Sequence, residues 1–322
     1  MTLDKDDILL GLNFAGNSIY AAEAEKREGQ IHLITVAESE MEYPFDFSAI
    51  GADEYVSSFA NGINSLIDRV GIRSKAVRFA LDRRMVLLKR LIVDRGLSDS
   101  ELRQQVEWEL EQLLVAPRDE YNVGFERLGP VSENYEGVII VAVRKAVILY
   151  LKEIFKQTPL DLTVVDVDIF AAIRSLWGDI EKASDGLSAL VDFGKKSIFF
   201  TLVENGKYFL SSEISTSQSE GSDLSRLNAN SEELARFVEE ELLRLVQGIG
   251  DYAVPQNLQQ IFLAGESVDM EIIPHLKQRF DAAMVGLADP FSNIRQRLDA
   301  ESESLTKEKP EKFLVSVGMI LT

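Results

Sequence analysis

The sequence predicts an α/β protein of two similar lobes, with a small α+β domain of strand-helix-strand-strand order inserted in the first. Three observations carry this reading: a hairpin string that occurs twice, a change of pattern between the two copies, and a length of 322 residues at 46% hydrophobic content. That length accommodates about two ordinary cores, at roughly 150 residues per domain.

The repeat comes first in the chain. Asn13-Phe14-Ala15-Gly16-Asn17-Ser18-Ile19-Tyr20 is echoed by Asp192-Phe193-Gly194-Lys195-Lys196-Ser197-Ile198-Phe199. Each copy follows an apolar, strand-like run (Ile8 to Leu12; Leu187 to Val191). Each then enters alternating strand residues, a polar turn (Arg27-Glu28-Gly29; Glu204-Asn205-Gly206) and another strand. Both therefore read as three-stranded meanders. A meander repeated near the start of each half implies two similar lobes, the usual basis of a fold with a cleft between halves.

Between the copies, Asp53 to Val70 carries Val56, Phe59, Ile63, Leu66, Ile67 and Val70 at a 3.6-residue period and stops at Gly71, so it reads as a helix. Strand-like Ala76 to Leu81 and Met85 to Val93 lead to Ser98-Asp99-Ser100-Glu101, a capping box, and a helix with Leu102, Val106, Leu110, Leu113 and Leu114 inward before Pro117. Strands at Tyr121 to Leu128 and Gly137 to Val143, a helix at Lys145 to Lys156 and a strand at Leu162 to Val167 follow. Beyond the second copy, Ser211 to Asn230 reads as a long Ser/Asn/Gly loop and Ser231 to Gln247 as a helix capped by Ser231-Glu232-Glu233. A short strand, Gln260 to Ala264, ends in Gly265; Pro274 to Phe280 is helical, Asp299 to Lys312 a charged linker, and Phe313 to Leu321 an apolar helix. The resulting division is a first lobe of residues 1–75 and 157–185, an insert of 76–156 and a second lobe of 186–322.

A net charge of −19 and a pI near 4.6 argue against a nucleic-acid partner and suit basic ones. With no cysteine, and with His32 and His275 as the only histidines, neither a disulfide framework nor a thiolate or histidine metal site is expected. No leader pattern opens the chain and no apolar run approaches the ~20 residues of a membrane span, so a soluble cytoplasmic protein is expected. No Gly-x-Ser-x-Gly string or P-loop occurs, and Glu107, Glu109 and Glu111 read as a solvated helix face.

In their order, these residues resemble the PilM proteins of type IV pilus assembly, which are similar to the cell-division protein FtsA and to actin. The resemblance rests on the turn from Gly11 to Ser18, on Val106-Glu107-Trp108-Glu109-Leu110 before Pro117 with Tyr121-Asn122-Val123, on Asp166-Val167-Asp168 through Ala171-Ala172-Ile173-Arg174, and on Asp289-Pro290-Phe291 with Val317-Gly318. It implies a duplicated actin-like (ribonuclease H-like) fold, with residues 215–250 standing where the family carries a larger second-lobe subdomain.

It also implies a nucleotide site, built here from Gly11, Asn13, Gly16, Asn17 and Ser18 in the first lobe and Asp192, Gly194, Lys195, Gly265 and Glu266 in the second. The glycines would let backbone N–H groups approach phosphate, and the acids would hold Mg²⁺ through its waters. Several parts depart from that pattern. Asn13 is neutral where the family carries Asp, Ala15 replaces a glycine, Glu266 would repel phosphate, and only Ser215 to Asn230 follows Ile214 where base and ribose would be gripped. Lys195 and Lys196 are candidates for holding a phosphate, against the plainer reading of solvated lysines at a hairpin tip. No catalytic residue, cofactor or metal is expected, Asp192 being the Mg²⁺ candidate should nucleotide bind.

The function implied is a scaffold of a pilus or type II secretion-like inner-membrane platform. It would bind the N-terminal cytoplasmic tail of a PilN-like membrane protein in a groove walled by Phe79, Leu81, Arg83 and Val141, and meet other platform components. The competing expectations are an actin-like ATPase or phosphotransferase on the same fold, and an FtsA-like filament protein with a C-terminal membrane anchor.

Overall fold

The computed structural model describes residues 8–178, 186–195, 197–215, 230–248, 258–292 and 294–322. The chain divides into two compact units, residues 1–175 with 291–309 and 315–322, and residues 176–290 with 310–314.

The first unit is built on a meander of β1 (Ile8–Ala15), β2 (Ser18–Arg27) and β3 (Gln30–Glu40). Glu28 and Gly29 both take positive φ, 52° and 77°, the geometry that matches a two-residue turn to the twist of its strands. β4 (Ala76–Leu81) pairs in parallel with β1, and β8 (Asp161–Val167) with β4. The period-2 pattern of β4 then serves both faces. Val77, Phe79 and Leu81 enter the main core with α1 (Asp53–Val70) and α3 (Lys145–Lys156), while Ala80 packs with Ala171 of α4 (Asp168–Trp177) and Met319 of α8 (Leu314–Ile320). Gly71 closes α1 in the left-handed region, φ 69°.

The insert is a three-stranded sheet, β5 (Val86–Asp94), β7 (Tyr135–Arg144) and β6 (Tyr121–Pro130) in that order, with α2 (Asp99–Leu113) on one face. The capping box at Ser98 forms as read, Glu101 reaching back to the Ser98 N–H at 2.8 Å. Leu102, Val106 and Leu110 meet Val93, Val138, Ile140 and Ala142 in a separate small core.

Two boundaries differ from the sequence reading. β4 and α3, expected in the insert, belong to the first lobe, so the insert narrows to 86–144. Alternation marks a strand but not the sheet it joins, and the partners of β4 lie far away in sequence. Residues 291–309 and 315–322, expected in the second lobe, return to the first unit. β14 (Arg295–Gln296) pairs with β3, and the expected charged linker forms helix α7 (Ala300–Glu308), capped by Asp299 and held to β3 through Ser302 and the Val36 backbone.

The second unit repeats the first. β9 (Leu187–Phe193), β10 (Ser197–Glu204) and β11 (Lys207–Ser215) form its meander, and β12 (Leu258–Ala264) pairs in parallel with β9, with β13 (Met284–Leu287) beyond it. Its second turn carries Asn205 and Gly206 at φ 50° and 73°, the counterpart of Glu28 and Gly29. α5 (Ser231–Gln247) and α6 (Ile272–Arg279) cover one face through Ala235, Val238, Leu242, Ile272 and Leu276.

The cross-strand registers coincide. Asn13 stands opposite Tyr20 and Ala80, as Asp192 stands opposite Phe199 and Ala264; Phe14 faces Ile19 as Phe193 faces Ile198. The repeat seen in the sequence is thus a repeat of hydrogen-bond register. Three smaller differences remain: Ser211 to Ser215, read as loop, complete β11; α5 is capped by Asn230 rather than Ser231; and β13 and β14 carry no strong signal of their own. Residues 216–229, the centre of the expected loop, lie outside the described residues.

Candidate functional site

In the first unit, the candidate nucleotide residues gather at the β1–β2 tip. Gly16 takes φ 57° in the tight turn. Its carbonyl and that of Asn17 accept from the Phe45 and Met41 N–H groups at 3.2 and 2.6 Å, which ties the tip to the segment after β3. Ser18 pairs with Ala15 and with Glu40. Asn13 is 4% exposed and its Oδ1 is buried with no hydrogen-bond partner among the described residues, an atom that ordinarily costs stability. Gly11 has another role. A Cβ there would lie 2.1 Å from the Ser316 carbonyl oxygen and 2.8 Å from Met319 Cβ, so glycine is what lets α8 lie directly on β1.

In the second unit, Asp192 is the penultimate residue of β9, beside a turn closed by the Gly194 N–H to the Ser197 carbonyl at 2.9 Å. Lys196 lies outside the described residues. Lys195 pairs with Glu266 at 3.0 Å, and the other Glu266 oxygen is buried with no hydrogen-bond partner among the described residues. Gly265 sits at φ 103°, and a Cβ there would stand 2.4 Å from the Phe193 carbonyl oxygen and 2.6 Å from Asp192 Oδ1. The Ser267 N–H donates to that same carbonyl at 2.9 Å. The β12 turn is therefore pressed against the β9 end, as a phosphate-binding glycine turn would be.

Asn13 presents an amide at the hairpin position where its counterpart in the second unit, Asp192, presents a carboxylate. The Lys195 ammonium, the described candidate for holding phosphate, already answers a carboxylate. Glu266 adds negative charge beside the Gly265 turn. Among the described residues no group of three or more His, Cys, Asp or Glu is placed to share an ion.

The groove residues separate into two groups. Phe79 and Leu81 are each 1% exposed in the first-lobe core, where Phe79 meets Phe14 edge-on at 5.0 Å, and they offer nothing to a peptide. Arg83 is buried too. Its Nε bonds the Asp168 carboxylate at 3.0 and 3.1 Å, joining the segment after β4 to the start of α4 at the point where the chain leaves for the insert. Val141 is half-buried on the sheet face opposite α2.

Side-chain alternation places Val86, Leu88, Arg90 and Ile92 of β5 and Ile139, Val141 and Val143 of β7 on that face. Val86 and Val143 pack onto the first-lobe core, and the next pair out, Leu88 opposite Val141, is half-buried. The seam between lobe and insert thus continues as a strip of apolar sheet, and β5 and β6 are the edges of that sheet. Leu88 was not singled out from the sequence. Its signal was the apolar run Val86-Leu87-Leu88 and Leu91-Ile92-Val93, a strand apolar on both faces and therefore covered, or available, on both.

Among solved structures, the chain is similar to a PilM-PilN type IV pilus biogenesis complex, at 20% identity with 97% of each chain covered and a TM-score of 0.75. It is also similar to a Bacteroides thetaiotaomicron protein with an actin-like ATPase fold, at 12% identity with 88% of this chain and 91% of that one covered and a TM-score of 0.51. The register-matched meanders are thus those of an actin-like fold. The family described as type IV pilus assembly protein PilM matches residues 11–217, from the first meander through the second. With well over half of its length matched, this chain belongs to the PilM family of type IV pilus assembly proteins.

Proposed function

We propose that this protein is a scaffold of a pilus or type II secretion-like inner-membrane platform that captures the N-terminal cytoplasmic tail of a PilN-like membrane protein, without needing nucleotide. The observation that carries the reading is the apolar strip of Leu88 and Val141, beside the first-lobe core and bounded by the edge strand β5. An extended tail laid there would add main-chain hydrogen bonds at the edge and bury apolar side chains on the strip. Membership of the PilM family supports the choice of partner.

Cytoplasmic tails beside membrane spans tend to be basic, and a net charge of −19 would speed their encounter at low salt. No helix among the described residues is long and apolar enough to cross a membrane, in keeping with attachment to the membrane through a partner. Arg83 and Asp168 would act as positioning residues, holding the insert at its root. The direct test is fluorescence anisotropy with a labelled N-terminal peptide of a PilN-like protein. Val141→Glu places a charge on the strip and should weaken binding at least about tenfold; unchanged affinity would remove the strip from the site.

The second reading, an ATPase or phosphotransferase of the same fold, is favoured by the shared register of Asn13 and Asp192 and by the preserved Gly265 turn. Weak or absent nucleotide binding is the proposal that the Lys195–Glu266 pair supports, since that pair engages the described lysine of the second hairpin's turn. Calorimetry giving micromolar MgATP affinity would reverse this choice.

A further inference from the structure

Two helices of the first unit carry exposed stripes of opposite charge, each with a large apolar side chain at its middle. On α2, Leu102, Val106 and Leu110 face the insert core. The opposite side presents Glu101, Gln104, Trp108 and Glu111, with Val115 just past the helix end. Trp108 is 62% exposed and Val115 91%, whereas tryptophan is highly buried on average. No Lys or Arg lies on this stripe; Arg103 is directed instead over the Phe125 ring.

On α3, Val147, Leu151, Ile154 and Phe155 enter the first-lobe core. The outer side presents Lys145, Leu149, Lys152 and Lys156 at helical spacing, with Leu149 59% exposed. Glu153, bonded to Lys156, is the acid on that side. In a chain of net charge −19 such a face stands apart.

We propose that the α2 stripe of one copy docks on the α3 stripe of a second copy. Laid antiparallel with Trp108 against Leu149, the stripes are in register. Glu111 meets Lys145 of the second copy, Gln104 meets Lys152, and Glu101 meets Lys156. A second copy is the occupant because the chain itself supplies the complementary face. Two α2 stripes brought together would oppose like charges. The contact is either reciprocal, two α2–α3 pairs closing a twofold dimer, or heterologous, extending into a chain or closing into a ring. At 0.15 M salt the Debye length is about 8 Å, so repulsion between the acidic bodies is screened while ion pairs in contact are not.

The test is sedimentation velocity on the full chain at 0.15 M salt, from about 1 to 100 µM, the range in which contacts of this kind are populated. The wild type should show a sedimentation coefficient rising with concentration. Glu111→Lys and Lys145→Glu should each weaken association about tenfold or more. Neither threatens the fold. Glu111 lies in the last turn of α2, where a cation is favoured, and Lys145 is the first residue of α3, where an acid is favoured. The double variant E111K/K145E restores opposite charges across every contact and should return to within about threefold of wild type. Trp108→Ala should also weaken association. A single monomeric species across the whole range, single variants that associate like wild type, or a double variant no better than the singles would each overturn the proposal.

Discussion

Gly11 separates two accounts of the first hairpin. As a phosphate-turn glycine it would matter to nucleotide alone; as a packing glycine it matters to the fold. In an ordinary strand, Gly→Ala stabilises by about 0.5–1 kcal/mol, because alanine has less conformational freedom to lose. Here the new Cβ would stand 2.1 Å from the Ser316 carbonyl oxygen, against an ordinary contact of 3.4 Å or more. α8 would have to recede by more than an ångström. Its Val317, Met319 and Ile320 are all 0% exposed, so the shift opens one side of a packed core. Because the clash is with backbone and cannot be relieved by a rotamer, the cost should sit at the upper end of overpacking, about 3 kcal/mol. For a unit of about 200 residues that corresponds to a fall in Tm of roughly 6–12 °C. Gly124, on β6 of the same unit with open space where its Cβ would stand, is the control and should tolerate alanine at no loss. Differential scanning calorimetry of both variants reads the answer. A Gly11→Ala protein as stable as the Gly124→Ala protein would refute the packing role and return Gly11 to the nucleotide site.

Other expectations follow from the same geometry. Gly318→Ala, whose Cβ would stand 1.8 Å from the Ala171 carbonyl oxygen, should destabilise at least as much as Gly11→Ala, read in the same scans. Burial pushes the Glu25 carboxyl up, but the Arg73 hydrogen bond and the charges of Arg27 and Arg73 outweigh it and hold it below the usual carboxylate range. A depressed folded-state pKa contributes stability above the unfolded value and loses it as pH falls through the folded one. The penalty of Arg73→Ala in urea unfolding should therefore be full at neutral pH and shrink in acid; a penalty independent of pH would count against it. Tyr150, pushed up to about 12 by burial and then by Asp53, Tyr55 and Glu54, should stay un-ionised in an ultraviolet titration until well above the usual phenol range. Tyr150→Phe, losing the bond to the Ala52 carbonyl at 2.9 Å, should cost about 0.5–1.5 kcal/mol. Lys195→Ala should destabilise by about 1 kcal/mol while Glu266→Gln costs less, because only the first strands a buried carboxylate; the reverse order in urea midpoints would show that the pair is not what holds the turn.

What could be read in the sequence was whatever is local. The two meanders declared themselves through matched strings and matched turns, since both register and positive-φ turn residues are written in adjacent positions. α1, α3 and α5 were legible because a 3.6-residue apolar period needs no knowledge of the partner. Membership of β4 was not, because Val77, Phe79 and Leu81 alternate in the same way whichever sheet receives them. The same blindness hid the burial of Phe79 and Leu81, read as groove residues, and the approach of α8 to Gly11, read in a phosphate turn: what they touch, the first-lobe core and Ser316 of α8, lies distant in the chain. A run of charges from Asp299 onward looked like linker, although its cap at Asp299 and one buried residue, Ser302, suffice to dock a helix. Leu88 went unremarked beside Val141 because pairing across β5 and β7 is a tertiary fact.

The central claim, a tail-binding scaffold that works without nucleotide, is tested most directly by calorimetric titration of a PilN-like N-terminal peptide into wild type and into Asp192→Ala, each with and without MgATP. The account predicts one micromolar affinity in all four titrations, within about threefold. Binding that appears only with MgATP, or that Asp192→Ala abolishes, would contradict it.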